Sequence, residues 1–354
     1  MKIITCAGYY GSGSSAVLDL VSEYKNVKQY DDFEFRFLHD VDGVMDLEYH
    51  LVDYHNRHNS GYALKRFERL SIFNNGNFFS PRYSKYFNGD YINITRKYID
   101  RLKDFDYRGW WFYDAYDKGE WLYYILMMLE HFVNKISKKE WSVFGREFIY
   151  CSHPSRDEFI NATIEYVSEL MMAINKTNSE YIALDQLVPS QNIERAMRYF
   201  NEKIYVILVC RDPRDIFISN EMFWKSRVCP LHDVKKFCKW FRYTMESGSA
   251  QSIEDTDQHG GLFKIRFEDL IYNYEESVKS IEKFTGLVNV NHYLKFNKFN
   301  PKRSVFNTKI WYRYPQFSSE IKYIEKELNC FLFDFDRYKN YSVCGIDPLV
   351  KDVF

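Results

Sequence analysis

The sequence lacks a long hydrophobic run and a charge bias of either sign. Its longest uninterrupted apolar run, from Leu122 to Leu129, stops at Glu130, far short of the ~20 residues that a membrane-spanning helix needs. Lysine and arginine together number 48, and aspartate and glutamate 49, which gives a formal charge of −1. This balance argues against sequence-independent binding to nucleic acid or to anionic membranes. Any anion must therefore be bound by a local arrangement of residues.

Cysteine is also too sparse and too scattered to form a framework. The seven cysteines include no C-x-x-C pair and no zinc-ligand spacing with histidine, so we expect reduced thiols and no metal site. The first residues, from Met1 to Gly8, lack the apolar segment of about 7 to 15 residues that marks a signal peptide. A cytoplasmic location is expected on that ground. Since 46% of the residues are hydrophobic and 27% are charged, the chain is typical of a globular enzyme or binding protein.

Short apolar runs alternate with helical patterns along the chain. Strands are predicted at residues 2–7, Tyr181–Leu184, Ile204–Cys210 and Leu262–Phe267. Continuous apolar strands that are each followed by a helix indicate an α/β fold with a buried parallel sheet covered on both faces. From about residue 44 to 175 the pattern is charged, aromatic and mainly helical. We therefore expect one domain over residues 1–354 with a large helical insertion at about 44–175.

The turn after the first predicted strand is rich in glycine and serine. It reads Gly8-Tyr9-Tyr10-Gly11-Ser12-Gly13-Ser14-Ser15-Ala16, and a helix is predicted over Ser14–Tyr24. Glycines allow the backbone to curl around an anion, and the first turn of a helix directs its free N–H groups into the same space. The segment indicates a site for a phosphate or a sulfate group.

Three interpretations of this turn stay open. It matches the loop of nucleoside triphosphatases, except that Ser14 stands where that loop needs a lysine. It also matches the dinucleotide fingerprint as Gly11-x-Gly13-x-x-Ala16, with Asp31 or Asp32 about twenty residues further on. The third interpretation is a tight turn that holds no ligand.

A second motif follows the most apolar predicted strand. Asp212 can cap a helix and Pro213 can open it, so that Arg211 lies at the carboxyl end of the strand. Ser219 is six residues beyond Pro213, roughly 9 Å along the helix, within reach of a guanidinium folded over the first turns. Arg211 and Ser219 can therefore bind one phosphate together.

The two motifs resemble those of sulfotransferases that use 3′-phosphoadenosine-5′-phosphosulfate (PAPS). The segment from Arg211 to Asp215, with Ser219 eight positions after the first arginine, is similar to their 3′-phosphate motif, and the glycine turn resembles their 5′-phosphosulfate loop. Residues 183–189 and 263–270 are similar to further segments of the family. The resemblance spans roughly residues 1–40 and 180–328 and is closest to carbohydrate sulfotransferases. It implies a three-layer α/β sandwich with a central parallel sheet and a P-loop-like anion loop.

The resemblance also implies roles for individual residues. It assigns the 5′-phosphosulfate to Gly11, Ser12, Gly13, Ser14 and Ser15, the 3′-phosphate to Arg211 and Ser219, and a closing basic loop to Lys302 and Arg303. Many family members carry a lysine or arginine in the loop where this sequence has Gly11. Either Arg36 or Lys65 replaces that cation, or the hydroxyls and backbone dipoles of the loop suffice.

Transfer to an alcohol also needs a base within ~3 Å of the hydroxyl. Residues 31–39, just after a second strand that we expect to follow the helix Ser14–Tyr24, supply candidates that include Arg36 as a neighbouring cation. In glycan sulfotransferases of this family a glutamate after that strand often serves as base, which implies Glu34 first, His39 second and Asp185 third. The alternation from Phe33 to Phe37 also fits an amphipathic strand whose Glu34 and Arg36 simply face water.

The leading hypothesis is a sulfotransferase that moves the sulfuryl group of PAPS, without a metal, to a hydroxyl of a carbohydrate or surface-polysaccharide precursor. The aromatic content of 19% suits stacking on sugar rings. One alternative is a Rossmann-type NAD(P) oxidoreductase, in which the residues from Arg211 to Ser219 have no role. The other is a nucleotide-binding module without turnover. No nucleic-acid partner is expected.

Overall fold

Five strands form one parallel sheet, and four of them are the apolar runs predicted from the sequence. The computed structural model describes residues 1–110, 117, 119–137, 141, 147–246 and 260–338. The strands of the sheet, in chain order, are β1 (Lys2–Gly8), β2 (Val27–Glu34), β5 (Tyr181–Asp185), β6 (Lys203–Cys210) and β7 (Gly260–Arg266). Their spatial order is β2-β5-β1-β6-β7, and every neighbouring pair is parallel. The predicted α/β class with a central parallel sheet is confirmed.

The sheet is apolar on both faces, as a parallel sheet covered by helices must be. On one face Cys6, Ile207 and Ile265 pack with Val17 and Val278 of two covering helices. Residues that point to the opposite face, such as Ile3 and Ile204, are equally buried. The two faces together give the three-layer sandwich. Because all strands run the same way, their carboxyl ends meet at one edge, where parallel α/β sheets bind ligands.

Helices connect the strands. They are α1 (Ser14–Val21), α2 (Val44–Glu48), α3 (Arg57–Asn75), α4 (Tyr83–Tyr86), α5 (Tyr91–Leu102), α6 (Glu120–Ser137), α7 (Arg156–Ile174), α8 (Ile193–Met197), α9 (Pro213–Ser219), α10 (Val234–Glu246), α11 (Phe267–Tyr272), α12 (Tyr274–Thr285), α13 (Pro301–Ser304) and α14 (Ser318–Glu327). Single π-helical turns extend α2 and α9 over Tyr49–Asp53 and Asn220–Trp224. Across the described ranges, no helix combines the length and the apolar character needed to cross a membrane.

The chain divides into two compact units. The first comprises Met1–Arg36 and Asn175–Phe354 and contains the parallel sheet, and the second comprises Phe37–Ile174. The second unit is mainly helical, with Tyr98 stacked on Tyr166 inside it. It also contains an antiparallel pair, β3 (Phe105–Gly109) with β4 (Glu147–Cys151), which the sequence pattern did not reveal.

Candidate functional site

The glycine loop (residues 8–15) joins β1 to α1 at the carboxyl edge of the sheet. Gly11 has φ = 72° and Gly13 has φ = 87°, in the left-handed region that glycine adopts without strain. The N–H of Ser12 donates to the carbonyl of Tyr9 at 3.0 Å, which closes a turn before the helix begins at Ser14. Gly13 precedes the helix, so no side chain caps its first N–H groups. These N–H groups are therefore free of a side-chain cap and suited to binding an anion.

Two aromatic side chains press against the glycines of this loop. A Cβ at Gly11 would lie 2.7 Å from the ring of Trp224, and one at Gly13 would lie 2.6 Å from the ring of Phe267. Phe267 is 4% exposed, whereas Trp224 is 44% exposed. The space above Gly11 is therefore occupied by an indole, and a lysine there would collide with it.

Arg211 links the end of β6 to the glycine loop. Its Nη1 donates to the carbonyl of Gly11 at 3.2 Å, and its Nη2 donates to the carbonyl of Asn307 at 2.6 Å. The guanidinium lies 4.9 Å from the ring centre of Phe267 and 5.9 Å from that of Trp224. The contact follows from the topology, because β1 and β6 are parallel neighbours and pair Gly8 with Val209. The two sequence motifs thus meet at one place.

Arg211 forms no ion pair with any residue that the structure describes. Arg214 pairs with Asp212 and Glu325, both at 2.8 Å, whereas Arg211 has no carboxylate within 4.0 Å among the residues that the structure describes. Its Nε is buried, and no acceptor in the described ranges contacts it. The hydroxyl of Ser12 is likewise buried without a partner there. Since buried polar groups are nearly always hydrogen-bonded, these two atoms favour a polar ligand at this site.

The helix that follows Arg211 begins as the sequence predicts. The carboxylate of Asp212 accepts from the N–H of Arg214 at 2.9 Å, and Pro213 is the first helical residue. Ser219 is the last residue of this helix and is 2% exposed. The expected joint contact of Arg211 and Ser219 with one phosphate stays a prediction.

A segment near the C-terminus closes against the same strand end. Asn307 supplies the carbonyl that Arg211 binds, and the N–H groups of Lys309 and Ile310 donate to the buried carboxylate of Asp215 at 3.1 and 2.7 Å. Lys302 and Arg303 lie one helical turn earlier, on α13, and both are exposed. Arg303 donates to the carbonyl of Asn297 at 3.1 Å. The segment is positioned near Arg211 by backbone contacts, while the role of the two cations stays a prediction.

Glu268 is a fully buried carboxyl group beside the arginine motif. Its Oε1 accepts from the N–H of Asp212 at 2.7 Å, and its Oε2 lies 3.7 Å from Nε of Arg266. Burial and the nearby charge of Asp212 raise the pKa of Glu268 to about 7, although Arg266 opposes the shift. The folded protein therefore retains this proton up to near neutral pH.

We expect Glu268→Gln to remove part of the pH dependence of stability. At pH values between the ordinary glutamate pKa and about 7, Glu268 is protonated in the folded protein and ionised in the unfolded chain. The stability that this group contributes to wild type therefore falls as the pH rises through this range. Relative to wild type, the variant should gain up to ~3 kcal/mol of unfolding free energy between pH 4.5 and pH 8. Urea titrations across this range measure the difference. A difference that stays flat across this pH range would contradict the prediction.

The candidate bases lie at the carboxyl ends of two further strands. Glu34 is the last residue of β2 and pairs in register with Asp185 of β5, which in turn pairs with Cys6 of β1. The sequence analysis placed residues 31–39 just after the second strand, whereas β2 extends through Glu34, with a register irregularity between Gln29 and Glu34. Glu34 and Arg36 are both exposed and form an ion pair at 3.3 Å, whereas Phe35 is buried.

The remaining expected residues belong to the second unit. His39 is partly buried in the turn after Phe37, and Lys65 lies on α3. Lys65 lines a cavity of about 440 Å³ with Glu68, Phe148 and Tyr150. The expectations that His39 is a base and that Lys65 replaces the loop cation stay predictions.

The strand order does not match the dinucleotide-binding alternative. In that fold the strand after the first helix pairs directly with the first strand, so that its terminal acid reaches the ribose. Here β5 lies between β1 and β2. The side chains of Asp31 and Asp32, the acids expected for that role, lie outside what the structure describes.

Sequence reasoning missed four residues at this site. Asp215 anchors the C-terminal segment, and Asn307 binds Arg211 through its carbonyl. Trp224 covers Gly11, and Phe267 covers Gly13. Only Asp215 had a local signal, as the second acid of the segment that begins at Arg211. The other three act through contacts between distant parts of the chain.

We expect Gly13→Ala to destabilise the protein by more than a left-handed residue alone costs. A non-glycine residue at φ = 87° costs ~1–2 kcal/mol, and the clash with Phe267 adds ~1–3 kcal/mol. Gly286→Ala is the matched control, since Gly286 has φ = 76° but its nearest neighbour is an ordinary 3.4 Å away. Unfolding free energies of the two variants provide the comparison. Equal losses would show that Phe267 does not restrict Gly13.

The sequence is similar to a known protein family. A family model described as a sulfotransferase domain matches residues 112–322, which is well over half of the chain. The match contains Arg211, Ser219 and the C-terminal segment but not the glycine loop. A search of the curated proteins gives no significant match.

Proposed function

Because this chain belongs to the sulfotransferase domain family, it is a transferase of sulfuryl groups, and we propose that PAPS is its donor and a carbohydrate hydroxyl its acceptor. The donor would lie across the carboxyl edge of the sheet. Gly11, Ser12, Gly13, Ser14 and Ser15 would hold its 5′-phosphosulfate, and Arg211 and Ser219 its 3′-phosphate, with Lys302 and Arg303 closing on the latter.

The hydrogen bond from Arg211 to the carbonyl of Gly11 is the observation that carries this proposal. The family match begins only at residue 112, so it does not by itself include the glycine loop. The bond joins that loop to the matched region at 3.2 Å. A bis-anionic nucleotide needs two anion sites at one sheet edge, and the loop amides together with Arg211 supply them.

Catalysis in this proposal depends on positioning and on charge neutralisation. Sulfuryl transfer resembles phosphoryl transfer, since the group is already electrophilic and the leaving oxygen gains negative charge. In this proposal, N–H groups at the start of α1, where no described side chain caps the helix, and the hydroxyls of Ser12, Ser14 and Ser15 would stabilise that charge. The lysine that many relatives carry is replaced by Gly11, and Trp224 fills the space above it.

We propose Glu34 as the general base that accepts the proton of the acceptor hydroxyl. It lies at the carboxyl edge that also carries the glycine loop, with Asp185 on the strand between. The adjacent Arg36 pairs with this carboxylate at 3.3 Å and restrains its position. We place Asp185 second, because it lies on the strand between Glu34 and the glycine loop, and His39, which the sequence analysis placed second, becomes third.

Considered by itself, the second unit contains a cavity whose lining suits a carbohydrate. Its cavity of about 440 Å³ has the volume of a small-molecule site and combines the rings of Phe148 and Tyr150 with charged side chains such as Arg96 and Asp100. Sugar rings stack on aromatic faces, and their hydroxyls bond to charged groups. A surface-polysaccharide precursor would meet both requirements.

Two measurements test the proposal. Adenosine 3′,5′-bisphosphate at 100 times its dissociation constant should stabilise the protein by ~2.7 kcal/mol, and NADH should not. Incubation with sulfur-labelled PAPS and a panel of sugars should then transfer label to one of them. Stabilisation without any labelled product would favour a nucleotide-binding module without turnover, and stabilisation by NADH alone would overturn the donor assignment.

A further inference from the structure

Helix α6 of the second unit turns its apolar side outward. In the part of the chain that the structure describes, none of the 18 residues of this helix is buried. The most exposed apolar side chains are Trp121 at 85%, Ile136 at 66%, and Met128 and Phe132 at 62% each. Surface helices of globular proteins normally show the opposite arrangement.

The exposed side chains form one continuous stripe. Trp121, Ile125, Met128, Phe132 and Ile136 follow one another at spacings of four, three, four and four residues, which keeps them on a single side of the helix. We call them the apolar stripe. The opposite side is partly covered and carries Tyr123, Leu126 and Val133 together with Glu130 and Asn134. Five large apolar side chains on one exposed side of a helix require a partner.

The area of this surface matches one half of a stable interface. The stripe and its exposed neighbours Leu122, Tyr124 and Leu129 are 45% to 85% exposed. At about 200 Å² for each large side chain they present roughly 900 Å². The largest apolar patch of a typical monomer is ~300–600 Å², and a standard interface takes ~800 Å² from each partner.

We propose that the apolar stripe binds the same stripe of a second copy of this chain, as an antiparallel helix pair. The stripe is self-complementary about a two-fold axis at Met128 and Leu129. Trp121 then lies opposite Ile136 of the other copy, and Ile125 lies opposite Phe132. A two-fold interface of this kind uses one surface twice and closes without leaving a free edge.

The charges on the helix fit this pairing and not a lipid surface. Glu120 and Lys135 lie at opposite ends of the helix and on the same flank of the stripe. In an antiparallel pair this flank of one helix lies beside the same flank of the other helix. Each Glu120 therefore lies near Lys135 of the other chain. Helices that lie on membranes are instead rich in lysine and arginine on the polar face, whereas α6 carries Glu120 and Glu130 against Lys135.

Sedimentation equilibrium of the full chain over a range of concentrations tests the proposal. Wild type should be a dimer, and Met128→Glu should raise the dimer dissociation constant at least ~100-fold, because it places two carboxylates at the axis. Phe78→Glu is the matched control, since Phe78 is 93% exposed but lies outside the stripe. A wild-type chain that stays monomeric at all concentrations overturns the proposal.

A charge exchange tests the orientation without disturbing the stripe. Glu120→Lys alone should weaken the dimer, and Glu120→Lys combined with Lys135→Glu should restore it. Failure of the second change to restore the dimer would overturn the antiparallel pairing. Flotation with vesicles of phosphatidylcholine and phosphatidylglycerol tests whether the stripe binds lipid instead. If wild type binds the vesicles and Met128→Glu does not, the stripe is a lipid-binding surface and the proposal is overturned.

Discussion

Arg211→Ala should lower the affinity for adenosine 3′,5′-bisphosphate at least ~100-fold. Arg211 is the buried cation at the end of β6, with no carboxylate partner in the described ranges and with Nε still free to donate. Charge-assisted hydrogen bonds from a guanidinium to a phosphate are each worth ~1.5–3 kcal/mol, so their loss reaches that factor. Isothermal titration of wild type and variant measures it. Arg198→Ala is the control, because Arg198 is exposed and lies before β6 begins, at the opposite edge of the sheet.

A second ligand separates phosphate binding from loop positioning. Arg211 also holds the carbonyl of Gly11, so its removal can weaken any ligand of the glycine loop. Adenosine 5′-monophosphate lacks the 3′-phosphate. If Arg211 binds that group, the preference of wild type for the bisphosphate should disappear in the variant, while the affinity for the monophosphate changes little. Equal losses for both ligands would instead assign Arg211 to positioning the loop.

The sequence predicted those parts of the site that depend on local patterns. The strand before Gly8, the helix that begins at Ser14 and the cap formed by Asp212 are all set by residues within a few positions of each other, and the structure confirms them. Apolar runs also predicted the buried strands β5 and β6 to within a residue. These features depend on backbone propensity and on short-range hydrogen bonds, which a single sequence contains.

Contacts between distant segments could not be predicted in the same way. The position of β5 between β1 and β2 depends on how apolar strands of similar composition choose neighbours. The contacts of Trp224 with Gly11 and of Phe267 with Gly13 depend on that order. From the sequence alone, Gly11 is simply a position where a cation is absent. The structure adds that the indole ring of Trp224 occupies the space that a side chain there would need.

Glu34→Gln should lower kcat by ~10²–10⁴-fold and leave the dissociation constant of adenosine 3′,5′-bisphosphate within about twofold of wild type. The change keeps the shape of the side chain and removes only its ability to accept a proton. If Glu34 is the base, the acidic limb of the pH profile of kcat/KM should disappear as well. Rates with PAPS and the preferred sugar across pH 4 to 9 measure both effects.

The alternative is that Glu34 only forms an ordinary surface ion pair with Arg36. The chain contains a second exposed ion pair that serves as a matched control. Glu180 pairs with Lys2 at 3.0 Å, and its side chain is as exposed as that of Glu34, at 52%. An exposed pair of this kind contributes ~0–1 kcal/mol, so Glu180→Gln should alter neither rate nor pH profile. If Glu34→Gln behaves like Glu180→Gln, Glu34 is a solvated partner of Arg36 and not the base. Asp185 then becomes the first candidate, since its strand lies between β1 and β2 and its backbone pairs with both.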